Sequence, residues 1–219
     1  ASGIARISRE IMANIIVLGW PKSAGFIDKI IGEKVDTILN NTDKTTFICH
    51  LEKPLVLHKR IIIAAPPLTE FENGFEHWLT KMAKLAQELS IPIVLYCVDE
   101  TKISVQKVFK KSKLSAAITF IHFDDWDDFL ILSRNIKEND FFVLVSARKG
   151  ATSYLPSLEN LPTKLEKHFS DNSVLLVYPQ QFYQNVGSDH YEDINTASLN
   201  IGIEKIQKIK KNIEQKTII

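Results

Sequence analysis

The chain has 219 residues, 45% of them hydrophobic and 24% charged, a globular composition with enough apolar side chains for a core. Its 27 basic and 26 acidic residues leave a net charge of +1, so bulk charge makes no case for nucleic acid as a partner. No apolar run approaches the roughly 20 residues that span a bilayer, and no secretory signal is visible at the start.

In chain order, residues 4–13 place Ile4, Ile7 and Ile11 at helical spacing, with Arg6, Arg9 and Glu10 opposite. A strand over 14–18 runs into a turn bearing Gly19 and Gly25. A helix over 33–40 and a strand over 45–51 follow. A second series starts at Arg60. The run RIIIAA, 60–65, is continuously apolar, as a strand covered on both faces should be. PPLTEFENG is a turn. Residues 73–89 form a helix with Phe75, Trp78, Leu79, Met82, Leu85, Ala86 and Leu89 on one stripe. Then come a strand over 91–98, a helix over 103–111, a strand over 116–123, a helix over 124–136, a strand over 140–147, a helix over 162–169 and a strand over 172–178. This alternation predicts an α/β parallel sheet with helices on both faces. Cys49 and Cys97 fall inside strand-like runs and read as buried, reduced thiols.

The two series share an ending. Residues 14–51 and 140–178 both run strand, polar turn with a lysine and a glycine, helix, short polar link with an aspartate, strand. The chain therefore reads as an internal repeat whose first copy lacks its opening three strands, as a piece of a longer protein would. The divisions are 1–57 for the end of the first repeat, 58–180 for a complete unit and 181–219 for a polar linker and a basic amphipathic helix. That helix, over 199–217, carries Ile203, Ile206, Ile209 and Ile213. It could lie on anionic lipid or a partner, or dock on its own domain. Too short to protect itself, the truncated repeat should extend the complete sheet by two strands. Strand 14–18 is then an open edge that a second chain could cover, so a homodimer is expected.

The five-stranded unit and its glycine turn resemble the universal stress protein fold, a flavodoxin-like, Rossmann-like α/β sandwich often found in tandem or dimeric form. The tandem resemblance implies that the last strands of the two units pair antiparallel, here strand 45–51 with 172–178. The strings RIIIAAPPLTEFENGF, FDDWDDF, FFVLVSARKGATSYLP and FSDNSVLLVYPQQF are similar to the tandem stress-protein-like region at the cytosolic C-terminus of some bacterial monovalent cation:proton antiporters. That resemblance implies a non-catalytic regulatory domain at the cytoplasmic face of the inner membrane. It would work beside a transmembrane antiporter domain of the same parent chain, through domain contacts, dimerisation or a bound anion. The alternative is a stand-alone stress protein that binds an ATP- or AMP-type nucleotide.

Strand, glycine turn and helix is also the layout of a phosphate-binding loop. Against the family's nucleotide signature, Gly19 matches the first glycine, Lys22 stands in place of the second, Gly25 matches a spacer glycine, Gly32 matches the third and Glu33 replaces the Ser or Thr. Lys22 puts a Cβ where a backbone should approach phosphate. Glu33 brings a carboxylate to the helix start that phosphate would occupy, and two anions a few ångströms apart repel by about 1 kcal/mol even in water. This loop therefore reads as a degenerate glycine loop.

In the complete unit, Ile63-Ala64-Ala65-Pro66-Pro67 replaces the family's aspartate after the first strand, and Ser146-Ala147-Arg148-Lys149-Gly150 replaces the glycine turn. Ser146, Arg148, Lys149, Gly150, Thr152 and Ser153 sit at the carboxyl end of a central strand, where open α/β sheets bind ligands. They could hold a weakly bound nucleotide or phosphate, or form a solvated turn whose cations face water or a carboxylate.

Asp124, Asp125, Asp127 and Asp128 could bind a divalent cation. A capping role at the start of helix 124–136 suits them better, with Trp126, Phe129, Leu130 and Ser133 facing inward. The six histidines show no metal spacing, and no catalytic constellation emerges, so no cofactor is required and no enzyme is expected.

Overall fold

The computed structural model describes residues 2–19 and 35–181. Lys22, Gly25, Gly32 and Glu33 of the glycine loop, and the expected C-terminal helix, lie outside the described residues. A compact unit runs Ala1–Tyr183. Its helices are α1 (Ser2–Glu10), α2 (residues 35–41), α3 (Phe75–Leu89), α4 (Asp99–Lys111) and α5 (Leu161–His168). Its strands are β1 (Ile15–Gly19), β2 (Thr45–His50), β3 (Arg60–Ala64), β4 (Ile93–Cys97), β5 (Ile118–His122), β6 (Asp140–Val145) and β7 (Ser173–Tyr178).

These strands form one seven-stranded sheet in the order β1-β2-β7-β6-β3-β4-β5. Every neighbouring pair is parallel except β2–β7, where Thr46 lies opposite Tyr178 and His50 opposite Val174. The antiparallel seam implied by the tandem resemblance is therefore present, and among the described residues β1 pairs only with β2. The two repeats close over one sheet.

The continuous apolar strands bury both faces, because alternate residues of a strand point to opposite sides. Ile61, Ile63, Phe141, Val143, Leu175 and Val177 face the layer with α3 and α4 residues such as Trp78, Leu79 and Val105. Ile62, Phe142, Leu144 and Leu176 face the other layer, with Leu39 of α2 and Leu165 of α5. Trp78 and Leu79 are fully buried, each contributing roughly 1.5–3 kcal/mol of hydrophobic stabilisation. On that second face Phe142 stacks on Phe169 with ring centroids 4.7 Å apart.

Two expectations are corrected. Residues 124–136 do not form an α-helix; a short 3-10 helix spans Phe129–Arg134. Trp126, Phe129 and Leu132 are buried at a spacing of three, which matches the 3-10 repeat, whereas Leu130 and Ser133 are only half-buried. The four aspartates do not cap it: Asp128 precedes it without a side-chain cap bond, and Asp125 Oδ1 accepts only a long 3.4 Å bond from Asp128 N. Ile7 of α1 and Ile11, just after it, are exposed by 51% and 68%.

Candidate functional site at the carboxyl ends of the strands

From β3 the chain winds to β4 on one side of the sheet, and from β6 to β7 on the other. The junction of β3 and β6 is thus the switch point at whose carboxyl end open α/β sheets hold ligands. Three segments meet there: the turn after β3, the turn after β6 and the exit from β7.

The turn after β6 carries the expected residues but assigns them unlike tasks. Arg148 is buried. Its Nε donates to the Leu39 carbonyl at 3.1 Å, its Nη1 to the Pro179 carbonyl, and its Nη2 to the Lys44 carbonyl at 2.7 Å and Thr46 Oγ1 at 3.4 Å. The guanidinium fork therefore satisfies main-chain acceptors of α2, of the link before β2 and of the exit from β7. Ser146 is buried as well and hydrogen-bonds the phenol of Tyr178. Burial pushes Tyr178 up to about 12, with the Asp36 carboxylate adding to the rise.

Lys149 points outward and pairs with Glu159 at 3.1 Å, which raises the lysine's pKa; the Tyr154 hydroxyl bond to the same carboxylate, and after it the bond from Lys149, lowers that of Glu159. Gly150 adopts φ +82°, a backbone that favours glycine, although a Cβ there would meet open space. Thr152 is exposed. Asp36, Ser146, Arg148, Lys149, Glu159 and Tyr178 line one cleft of about 200 Å³. Two carboxylates and two cations share it, so an incoming anion meets a balanced field rather than a basic one.

Ser153 turns to the other side. Its N–H and its hydroxyl both donate to Glu72 Oε1 at 2.8 Å, and Gln181 Nε2 donates to Glu72 Oε2 at 3.3 Å. Glu72, in the turn after β3, is only 7% exposed. Sequence reasoning passes over Glu72, because a carboxylate in a polar turn looks like any solvated one until its partners are known. Gly19 closes β1, and among the described residues nothing lies within 4 Å of a Cβ built on it.

Among the described residues no group of His, Cys, Asp and Glu could hold a metal ion, and no helix is long and apolar enough to cross a membrane. His122 sits exposed between Asp99, 3.8 Å away, and Asp124, 3.6 Å away. His50 lies 3.1 Å from Glu52 at the end of β2.

No protein-family profile and no curated protein sequence matches the chain. Solved structures do. A universal stress protein from Archaeoglobus fulgidus DSM 4304 aligns with 82% of this chain and 65% of its own, at a TM-score of 0.51 and 12% identity. The fold is that of the universal stress proteins. The cytoplasmic domain of a prokaryotic cation chloride cotransporter aligns with 80% of this chain and 69% of its own, at 0.51 and 10%. A functionally unknown protein from Pseudomonas aeruginosa PAO1 covers 81% and 67%, at 0.50 and 12%. The chain thus spans about two thirds of the length of these stress-protein-like structures, and identities this low carry the fold alone.

Proposed function

We propose that the chain is a non-catalytic regulatory domain on the cytosolic side of a bacterial cation:proton antiporter, and that it acts through contacts between α/β units. The observation that carries this reading is a difference between the repeats. Ile15 pairs with Thr45, and Phe141 with Ser173, so aligning the strand starts makes Val17 and Val143 equivalent. Val143 is fully buried, with Ile63 of β3 beside it. Val17 is 66% exposed, and Ile7, Ile11 and Met12 nearby in sequence are exposed too. An apolar edge without charge or proline invites another strand. The opposite edge, β5, ends instead in His122 flanked by Asp99 and Asp124.

The cotransporter domain supports the transporter reading, since a domain of this fold is used there on the cytoplasmic side of a transport protein. The strings quoted above point to the antiporter class. A homodimer through β1 is the simplest contact available to the separated domain.

The test is transport by the whole parent protein in everted membrane vesicles, with and without Val17→Lys. The substitution should alter the rate or the ion dependence of antiport while leaving the isolated domain folded. Unchanged transport would remove the contact reading. A parent without antiport would remove the transporter reading.

The likeness to the Archaeoglobus stress protein favours a second reading, a stand-alone nucleotide-binding protein. A thermal-shift titration with ATP and AMP separates the two. A ligand at 100 times its Kd stabilises by about 2.7 kcal/mol, which is readily seen.

A further inference from the structure

We propose that the cavity between α4 and the segment leading into α3 binds an apolar α-amino acid. Glu70 takes its ammonium, Lys107 and Ser104 take its carboxylate, and Phe75 and Val108 face its side chain. The inference goes beyond the contact reading above and does not depend on it.

The cavity measures about 540 Å³, a size that falls among ligand clefts of roughly 300–1,000 Å³. Two ties hold its ends. At one, Thr101 Oγ1 of α4 donates to Glu70 Oε2 at 2.8 Å. At the other, Lys111 Nζ donates to both oxygens of Glu76, at 2.9 and 2.8 Å. The ties sit about 15 Å apart along the α4 axis. Between them Ser104, Lys107 and Val108 recur at helical spacing, so one stripe of α4 lines the cavity. Phe75 and Val108 are both buried and supply its apolar surface.

The class of ligand follows from which charges are already paired. Glu76 is neutralised by Lys111. Glu72 Oε1 accepts both Ser153 donors, and its Oε2 accepts from Gln181. Glu70 gives one oxygen to Thr101 and keeps Oε1 without a partner among the described residues. On the α4 wall, Lys107 and Ser104 have no hydrogen-bond or ion-pair partner among the described residues. One carboxylate and one ammonium are therefore left on opposite walls, and they do not pair with each other. A simple anion would meet Glu70 and a simple cation would meet Lys107. A molecule carrying both charges answers both with charge-assisted hydrogen bonds.

The spacing suits a short zwitterion. The ammonium and carboxylate of an α-amino acid, each with one hydrogen bond, span about 8–9 Å. The α4 axis rises about 9 Å from Thr101, which holds Glu70, to Lys107. The turn that bears Glu70 is also kept in an unfavourable state. Leu68, just before it, adopts φ +67°, a left-handed backbone that a leucine avoids. Thr69 Oγ1 is buried without a hydrogen-bond partner among the described residues. Strain of this kind gathers where a chain positions groups for a ligand.

The experiment is isothermal titration of the full chain with L-leucine. Isocaproate, which lacks the ammonium, and leucinamide, which lacks the carboxylate, are titrated beside it. L-leucine should bind, and each analogue should bind at least about tenfold more weakly. Lys107→Ala, at an exposed position, should keep the wild-type melting temperature and weaken L-leucine at least about tenfold. It should no longer separate L-leucine from leucinamide. Glu70→Gln should weaken L-leucine as well and no longer separate it from isocaproate. No response of the wild type to L-leucine, equal binding of L-leucine by the wild type and Lys107→Ala, or an analogue that binds the wild type as tightly as L-leucine overturns the proposal.

Discussion

Arg148 and Lys44 are joined by a 2.7 Å hydrogen bond from the Nη2 of one to the main-chain carbonyl of the other, beside the antiparallel seam where the two repeats meet. The same side chain reaches the carbonyls of Leu39 and Pro179. A buried acceptor that loses its donor costs about 1–3 kcal/mol. Arg148→Ala strips several at once, so it should destabilise the domain by about 3 kcal/mol in a urea titration. Arg148→Lys should recover little, because one ammonium cannot span acceptors laid out for a planar fork. A loss below about 0.5 kcal/mol for Arg148→Ala would show that the seam holds without it.

Equivalent positions in the two repeats should respond differently. Val143→Ala empties space in a fully buried strand and should cost about 2 kcal/mol. Val17→Ala, on β1, which among the described residues pairs only with β2, should stay within about 0.5 kcal/mol in the separated monomer. The two variants are compared by denaturant unfolding at a concentration where light scattering shows one chain. Equal costs would mean that the β1 edge is covered in that monomer, against the picture of an open face.

Much of this architecture was legible in the chain. The runs RIIIAA and DFFVLV bury both faces, so their composition announces strands, and their alternation with amphipathic helices announces a parallel sheet. The antiparallel seam was implied by the resemblance to tandem stress-protein folds, whose two units pair their last strands, and not by any local pattern. What could not be read were matters of partnership. FDDWDDFLILSR carries a three-residue burial period, which a short window does not separate from a helical one. Arg148 in a polar turn looks like a ligand-binding or solvated cation, and only the folded chain brings the Leu39 and Lys44 carbonyls to it. Glu72 and Ser153 lie far apart in sequence, and no local pattern joins them.

Alkaline pH should weaken the fold through two buried groups. Burial pushes Tyr178 from 10.0 up to about 12 and Cys97 from 9.0 up to about 12, the carboxylates of Asp99 and Glu70 adding to the thiol's rise. Both stay neutral in the fold, while the unfolded chain releases their protons earlier. The stability this represents is fully present below about pH 9. It declines once the thiol's ordinary value is passed, declines faster above about pH 10, and is gone near pH 12. Each group should contribute a slope of about 1.4 kcal/mol per pH unit inside its window. Urea midpoints across this range should fall less steeply for Tyr178→Phe than for the wild type. Parallel curves would mean that the phenol ionises in the folded chain as readily as in the unfolded one.

The two glycines of the switch-point turns should differ in what they cost. Gly150 needs its glycine for backbone angle alone, since φ is +82° and a Cβ would meet nothing, so Gly150→Ala should lose about 1 kcal/mol. Gly74 needs its glycine for space. Its φ is −85°, which any residue adopts, but a Cβ would press on the main chain at Gln180. Main chain cannot swing aside like a side-chain tip. Relief must come from moving the β7 exit, and with it the bonds from Gln181 to Asp43 O and to Glu72. Gly74→Ala should therefore cost about 2 kcal/mol or more in urea titration and should expose the Gln181 main-chain amide to faster hydrogen exchange. Gly150→Ala should leave that amide protected. If both substitutions cost the same and neither changes exchange at Gln181, the β7 exit is not clamped between these turns.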